Sequence, residues 1–127
     1  MAANPSFAVT PRIGSVSIST AETSLTAPSS FGTAITGAST GTRIAEIVVK
    51  CAATSAAALV RVFLHDGTNY FLFDEITVAA ATSSNTVATT RVSTTYNNLI
   101  LPSASWSVRV TTTIAQATHV TALGADL

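Results

Sequence analysis

An all-β fold, an antiparallel β-sandwich of jelly-roll type with eight or nine short strands, is the fold class the sequence predicts. Three observations predict it. Charged residues make up only 9% of the 127 residues, against about 25% in an ordinary soluble domain. Their place is taken by Thr and Ala, 22 of each, and 15 Ser, and the branched β-carbon of Thr suits a pleated strand. Finally, apolar positions never persist at three- and four-residue spacing through two capped turns, so no helix of useful length is expected. A chain of this length can bury one sizeable core.

Residues 1–12 carry two prolines and no hydrophobic period. They are expected to form an extended arm or tail, either passive or ordered against a partner through Phe7 and Val9, and to leave 13–127 as a single sandwich domain. Strand-like runs follow at 13–19, 31–36, 43–52, 58–65, 69–78, 86–94, 98–101, 105–114 and 117–123. The breakers between them include Pro28-Ser29-Ser30, Gly37-Ala38-Ser39-Thr40-Gly41, Thr82-Ser83-Ser84-Asn85 and Pro102-Ser103. In 43–52, Ala45, Ile47, Val49 and Cys51 alternate with Ile44, Glu46, Val48 and Lys50. In 105–111 the alternation is clearest: Trp106, Val108 and Val110 share one face, and Ser105, Ser107, Arg109 and Thr111 share the other, which should meet water or a neighbour.

The densest polar chemistry lies in LVRVFLHDGTNYFLFDEITV, residues 59–78. Asp66-Gly67 between two strand-like runs signals a hairpin, because glycine accepts the positive φ of tight turns, and Asn69 tolerates the same backbone. His65 reads as a partly exposed residue at a strand end. Asp74 and Glu75 are adjacent, so on a strand they point to opposite faces and cannot pair as acid and base without a bulge. A hydrolase using His65 and Asp66 is the enzymatic alternative. Turn chemistry already accounts for Asp66, Gly67 and Asn69, so no catalytic residue is assigned and no enzyme activity is expected.

Other chemistries find less support. His65 and His119 are far apart, and no His-x-His, Cys-x-x-Cys or His-Glu-x-x-His spacing occurs. A metal site from His65, His119 and Asp66 would need the fold to bring them together, and neither metal nor cofactor is expected. No Gly-x-Ser-x-Gly elbow is present, and Cys51, in an apolar run, reads as a small core residue. Six basic and six acidic residues give a net charge of zero. The basic residues are dispersed, which argues against nucleic-acid binding. A near-neutral surface lacks the repulsion that keeps free monomers apart. A single cysteine makes no internal disulfide, and Met1 to Pro5 lack the basic start and apolar core of a signal peptide. The longest apolar runs fall far short of the roughly 20 residues that span a bilayer, so no membrane partner is expected.

What turn chemistry leaves over is the apolar content of this hairpin. Tyr70-Phe71-Leu72-Phe73 is apolar on both faces, and Val60, Val62 and Leu64 alternate with Leu59, Arg61 and Phe63. Either this strand is central to the domain or its outer face packs against another subunit; the second is expected, with Arg61, Phe63, Phe71 and Phe73 at the interface.

The chain resembles a family of small tailed-bacteriophage virion proteins. The likeness rests on the opening Asn4-Pro5-Ser6-Phe7-Ala8-Val9-Thr10-Pro11-Arg12-Ile13-Gly14 and on Gly41-Thr42-Arg43-Ile44-Ala45-Glu46-Ile47. It continues through the hairpin from Val60 to Ile76 and ends at Val120-Thr121-Ala122-Leu123-Gly124-Ala125-Asp126-Leu127. The resemblance implies a capsid-associated β-sandwich, a decoration (cement) protein on the head exterior, made in the bacterial host cytoplasm and carrying no enzyme activity. Its partners would be the major capsid protein, through Phe7 and Arg12, and further copies of itself as a homotrimer. A tail or baseplate component, or a receptor- or glycan-binding module using Tyr70, Tyr96 or Trp106, is the alternative.

Overall fold

The computed structural model describes residues 10–127, and the described residues form eight strands and no helix. In chain order these are β1 (Thr10–Ile18), β2 (Gly32–Thr36), β3 (Thr42–Cys51), β4 (Ala58–His65), β5 (Tyr70–Val78), β6 (Arg91–Leu101), β7 (Ser107–Thr112) and β8 (Thr118–Asp126). They make two four-stranded sheets, ordered β1-β8-β3-β6 and β2-β7-β4-β5, with every ladder antiparallel. The pairs β4·β5, β3·β6, β2·β7 and β1·β8 are nested like one long hairpin folded over itself, which is the jelly roll.

The core lies between the sheets. Ile44, Ile47, Val49 and Val120 of the first sheet meet Val60, Val62, Val108 and Val110 of the second, all essentially without exposure. Cys51 is buried among them. Trp106 packs at the margin of this core on the face it shares with Val108 and Val110.

Bulges correct several details expected from simple alternation. In β3 the register slips between Ile44 and Glu46 against both neighbours, which turns the small Ala45 outward and puts Ile44 and Ile47 in the core together. Burying isoleucine in place of alanine removes more apolar surface from water, and a one-residue bulge is the means. The runs expected at 86–94 and 98–101 are not two separate strands. β6 starts at Arg91 and runs unbroken to Leu101, and Asn97 and Asn98 sit where its register against β3 slips, from Thr95 paired with Glu46 to Leu99 paired with Ile44.

The domain boundary also moves. Thr10, Pro11 and Arg12 pair with Asp126, Ala125 and Gly124, so they belong to the sandwich rather than to an arm. The rest of the expected arm, including Phe7 and Val9, lies outside the described residues.

Candidate functional site

The hairpin between β4 and β5 is closed by local chemistry. Asp66 N–H donates to the Asn69 carbonyl at 3.2 Å, and Asp66 Oδ1 accepts from the backbone N–H groups of Thr68 (2.9 Å) and Asn69 (2.7 Å). These amide donors, Asn69 first, hold the Asp66 carboxyl below its ordinary range. Gly67 has φ +102°, the left-handed backbone expected of it. Asn69 has no such backbone, since no described non-glycine residue has positive φ.

His65 is not the partly exposed residue the sequence suggests. It is 8% exposed, its ring centroid lies 4.5 Å from that of Tyr70, and its Nδ1 accepts the Gly67 N–H at 3.2 Å. The register sets Tyr70 directly opposite it. Asp74 and Glu75 do point apart: Asp74 Oδ2 accepts from the Tyr96 hydroxyl at 2.8 Å, whereas Glu75 Oε1 accepts from Arg61 Nε at 3.0 Å. Burial, aided by this bond to Asp74, pushes the Tyr96 phenol above its ordinary range. His65 lies on the outer face of the second sheet and His119, exposed beside core residue Val120, on the outer face of the first. No three metal-ligating side chains cluster among the described residues.

The aromatic run is resolved by a second bulge. Val62 pairs with Asp74 but Phe63 pairs with Leu72, so Phe73 is the extra residue. The slip sorts the side chains. Phe63 and Tyr70 face outward, their rings edge to face at 6.0 Å. Phe31 meets Tyr70 at 5.9 Å and stacks on the guanidinium of Arg109 at 4.3 Å, and Arg109 donates to the Tyr70 hydroxyl. Phe71 stacks on Trp106 with centroids 6.3 Å apart, and Phe73 lies against Tyr96 at 5.4 Å.

Of the four residues expected at a subunit interface, Phe63 must be corrected. It is 0% exposed, because Tyr70 closes over it, so it supports the surface and cannot touch a partner. Arg61 is largely covered and committed to Glu75. Phe71 and Phe73, with Leu72 between them, are 48%, 42% and 41% exposed, and β5 is an edge strand of its sheet. Arg12, expected at a capsid, is engaged internally: Nη1 donates to both Asp126 carboxylate oxygens (2.9 and 3.1 Å) and Nη2 to the Thr36 carbonyl (3.0 Å). Asp126 also accepts from the Thr42 hydroxyl at 2.7 Å. That bond and the Arg12 guanidinium lower its carboxyl pKa.

No protein-family model matches the sequence, and no curated protein matches it. Among solved structures, the one titled "Structure of infectious bursal disease virus Gx strain" aligns with all of this chain at 13% identity and a TM-score of 0.19. The alignment covers 41% of that longer chain.

Two features escape the sequence reading. The outward side of β7 is not a wet face: Ser107 and Thr111 are buried, and Arg109 lies under Phe31. The cover comes from the β1–β2 loop, which is organised by Glu22. Glu22 Oε1 accepts from Ser29 N–H (2.6 Å), Ser30 N–H (2.9 Å) and the Ser29 hydroxyl (3.1 Å), and Oε2 from the N–H groups of Thr23 (3.1 Å) and Ser24 (3.2 Å). One signal pointed there, since Glu22 is the sole charged residue between Arg12 and Arg43.

Proposed function

We propose that this protein is a structural virion component that decorates and reinforces the exterior of a tailed-phage head, without catalysis, as a self-associated assembly, with a homotrimer the expected form. The observation that carries the self-association is the β5 edge. Three consecutive large apolar side chains, Phe71, Leu72 and Phe73, stand exposed on a strand that, among the described residues, pairs on one side only. An apolar edge of this kind is a hazard for a free monomer and an asset for one that is covered. The polar chemistry of the hairpin is consumed by its own turn and strand contacts, which favours a surface role over an active site.

A head lattice offers many identical sites, so modest contacts repeated around a symmetric oligomer gain by avidity. A protein that binds the assembled shell and not its dissociated subunits shifts the equilibrium toward assembly. Two measurements test this. Sedimentation at micromolar concentration should give an oligomer, and incubation with empty phage heads should give density on the head exterior. A monomer that leaves heads bare overturns the proposal, and density on the tail replaces it with the tail or baseplate alternative. Removing residues 1–9 tests the arm: unchanged head binding assigns attachment to the sandwich itself.

A further inference from the structure

We propose that the loop between β1 and β2 is a strap lying across the outer face of the second sheet and held in its curled shape by one carboxylate, and that protonating Glu22 loosens the strap while both sheets stay paired. This goes beyond the virion reading and does not depend on it. The path of the strap is fixed at both ends. Ala21 bridges Thr112, the Glu22 N–H donates to the Thr112 carbonyl at 2.8 Å, and Phe31 lies on Arg109. Between these ends the Thr23 carbonyl accepts from Arg61 at 3.5 Å.

Most of the hydrogen bonds that curl the intervening residues converge on Glu22, and Ser24 Oγ adds two, accepting from the N–H groups of Thr26 (3.3 Å) and Ala27 (3.0 Å). Five donors from Thr23, Ser24, Ser29 and Ser30 reach its two oxygens. Such donors favour the ionised form, and the amides of Ser30, Ser24 and Ser29 hold the Glu22 pKa down at about 2. The charged and titratable groups on the elements under the strap are Arg109 of β7, Arg61 and His65 of β4, and Glu75 of β5. Among the described residues the ion pairs are Arg12–Asp126 and Arg61–Glu75, so none of these groups pairs with Glu22. The latch is therefore hydrogen-bonded rather than ion-paired. It is complete above about pH 4.5, the ordinary value, and is lost as pH falls from there through about 2.

What lies beneath makes release easy. Arg109 Nε and Thr111 Oγ1 are buried under the strap without a hydrogen-bond partner. Lifting the strap lets water reach both, which offsets part of the packing that Phe31 gives up.

The test is an amide-resolved NMR titration of the full chain from pH 7 to about pH 1, with Glu22→Gln beside it at pH 7. The Ser24, Ser29 and Ser30 amides should move together with a midpoint near 2, while those of Val49, Val62 and Val120 hold. In Glu22→Gln, whose amide has one acceptor oxygen where the carboxylate has two, either the Ser29 and Ser30 amides or those of Thr23 and Ser24 should lose about tenfold or more of their exchange protection at pH 7, with the sheet amides unchanged. Retained protection in that variant overturns the latch. Strap and sheet amides that release together overturn its independence. If Glu22→Gln does not fold, the titration of the unaltered chain decides alone: strap amides that stay fixed while Glu22 is protonated overturn the proposal.

Discussion

At the β4–β5 turn, Gly67 holds a backbone conformation that only glycine adopts without strain, φ +102°. Gly67→Ala should therefore cost about 1 kcal/mol in chemical denaturation, while the strands on either side keep their pairing. This residue could be read from sequence because turn chemistry is local: Asp66 caps amides two and three positions ahead, a distance any sequence pattern can see. The burial of His65 could not be read, since the ring that covers it belongs to the opposite strand and depends on register. Glu22 sits between these cases. Its isolation among hydroxyl residues was visible, but the return of Ser29 and Ser30 to its carboxylate follows from the loop's path.

Whole elements were legible to the extent that they ignore their partners. β4 matches its expected limits, and β5 differs from its expected run only in starting at Tyr70. The bulges were not legible, because each is a compromise with a neighbouring strand: Ala45 yields so that Ile44 reaches the core, and Phe73 yields so that Asp74, Ile76 and Val78 share a face with Val60 and Val62. The bulge in β5 separates two phenylalanines that look equivalent in sequence. Phe63→Ala empties a fully buried site and should cost about 3–5 kcal/mol by thermal or chemical denaturation. Phe73→Ala, at a half-exposed site beside Tyr96, should cost about 1 kcal/mol yet weaken self-association measured by sedimentation. Equal effects of the two on stability would remove the distinction between support and contact.

At the scale of the molecule, the all-β sandwich followed from composition and strand spacing, because a chain this poor in helical periodicity and this rich in Thr has one way to bury its apolar faces. The order of the strands did not follow, since it is decided by which long loops close. That order carries a consequence for how the chain can be divided. Every strand ladder joins one member of β1–β4 to one of β5–β8. Each sheet alternates between the two halves of the chain like the teeth of interlocked combs, and among the described residues neither half contains a ladder of its own. Cut between Gly67 and Thr68, the two peptides should each lack the circular-dichroism signal of strand and regain it on mixing, whereas a half that folds by itself would contradict the interleaving. The turn that looked like a place for catalysis is thus the natural seam for a split reporter, a protein whose folding announces that two separately tethered fragments have met.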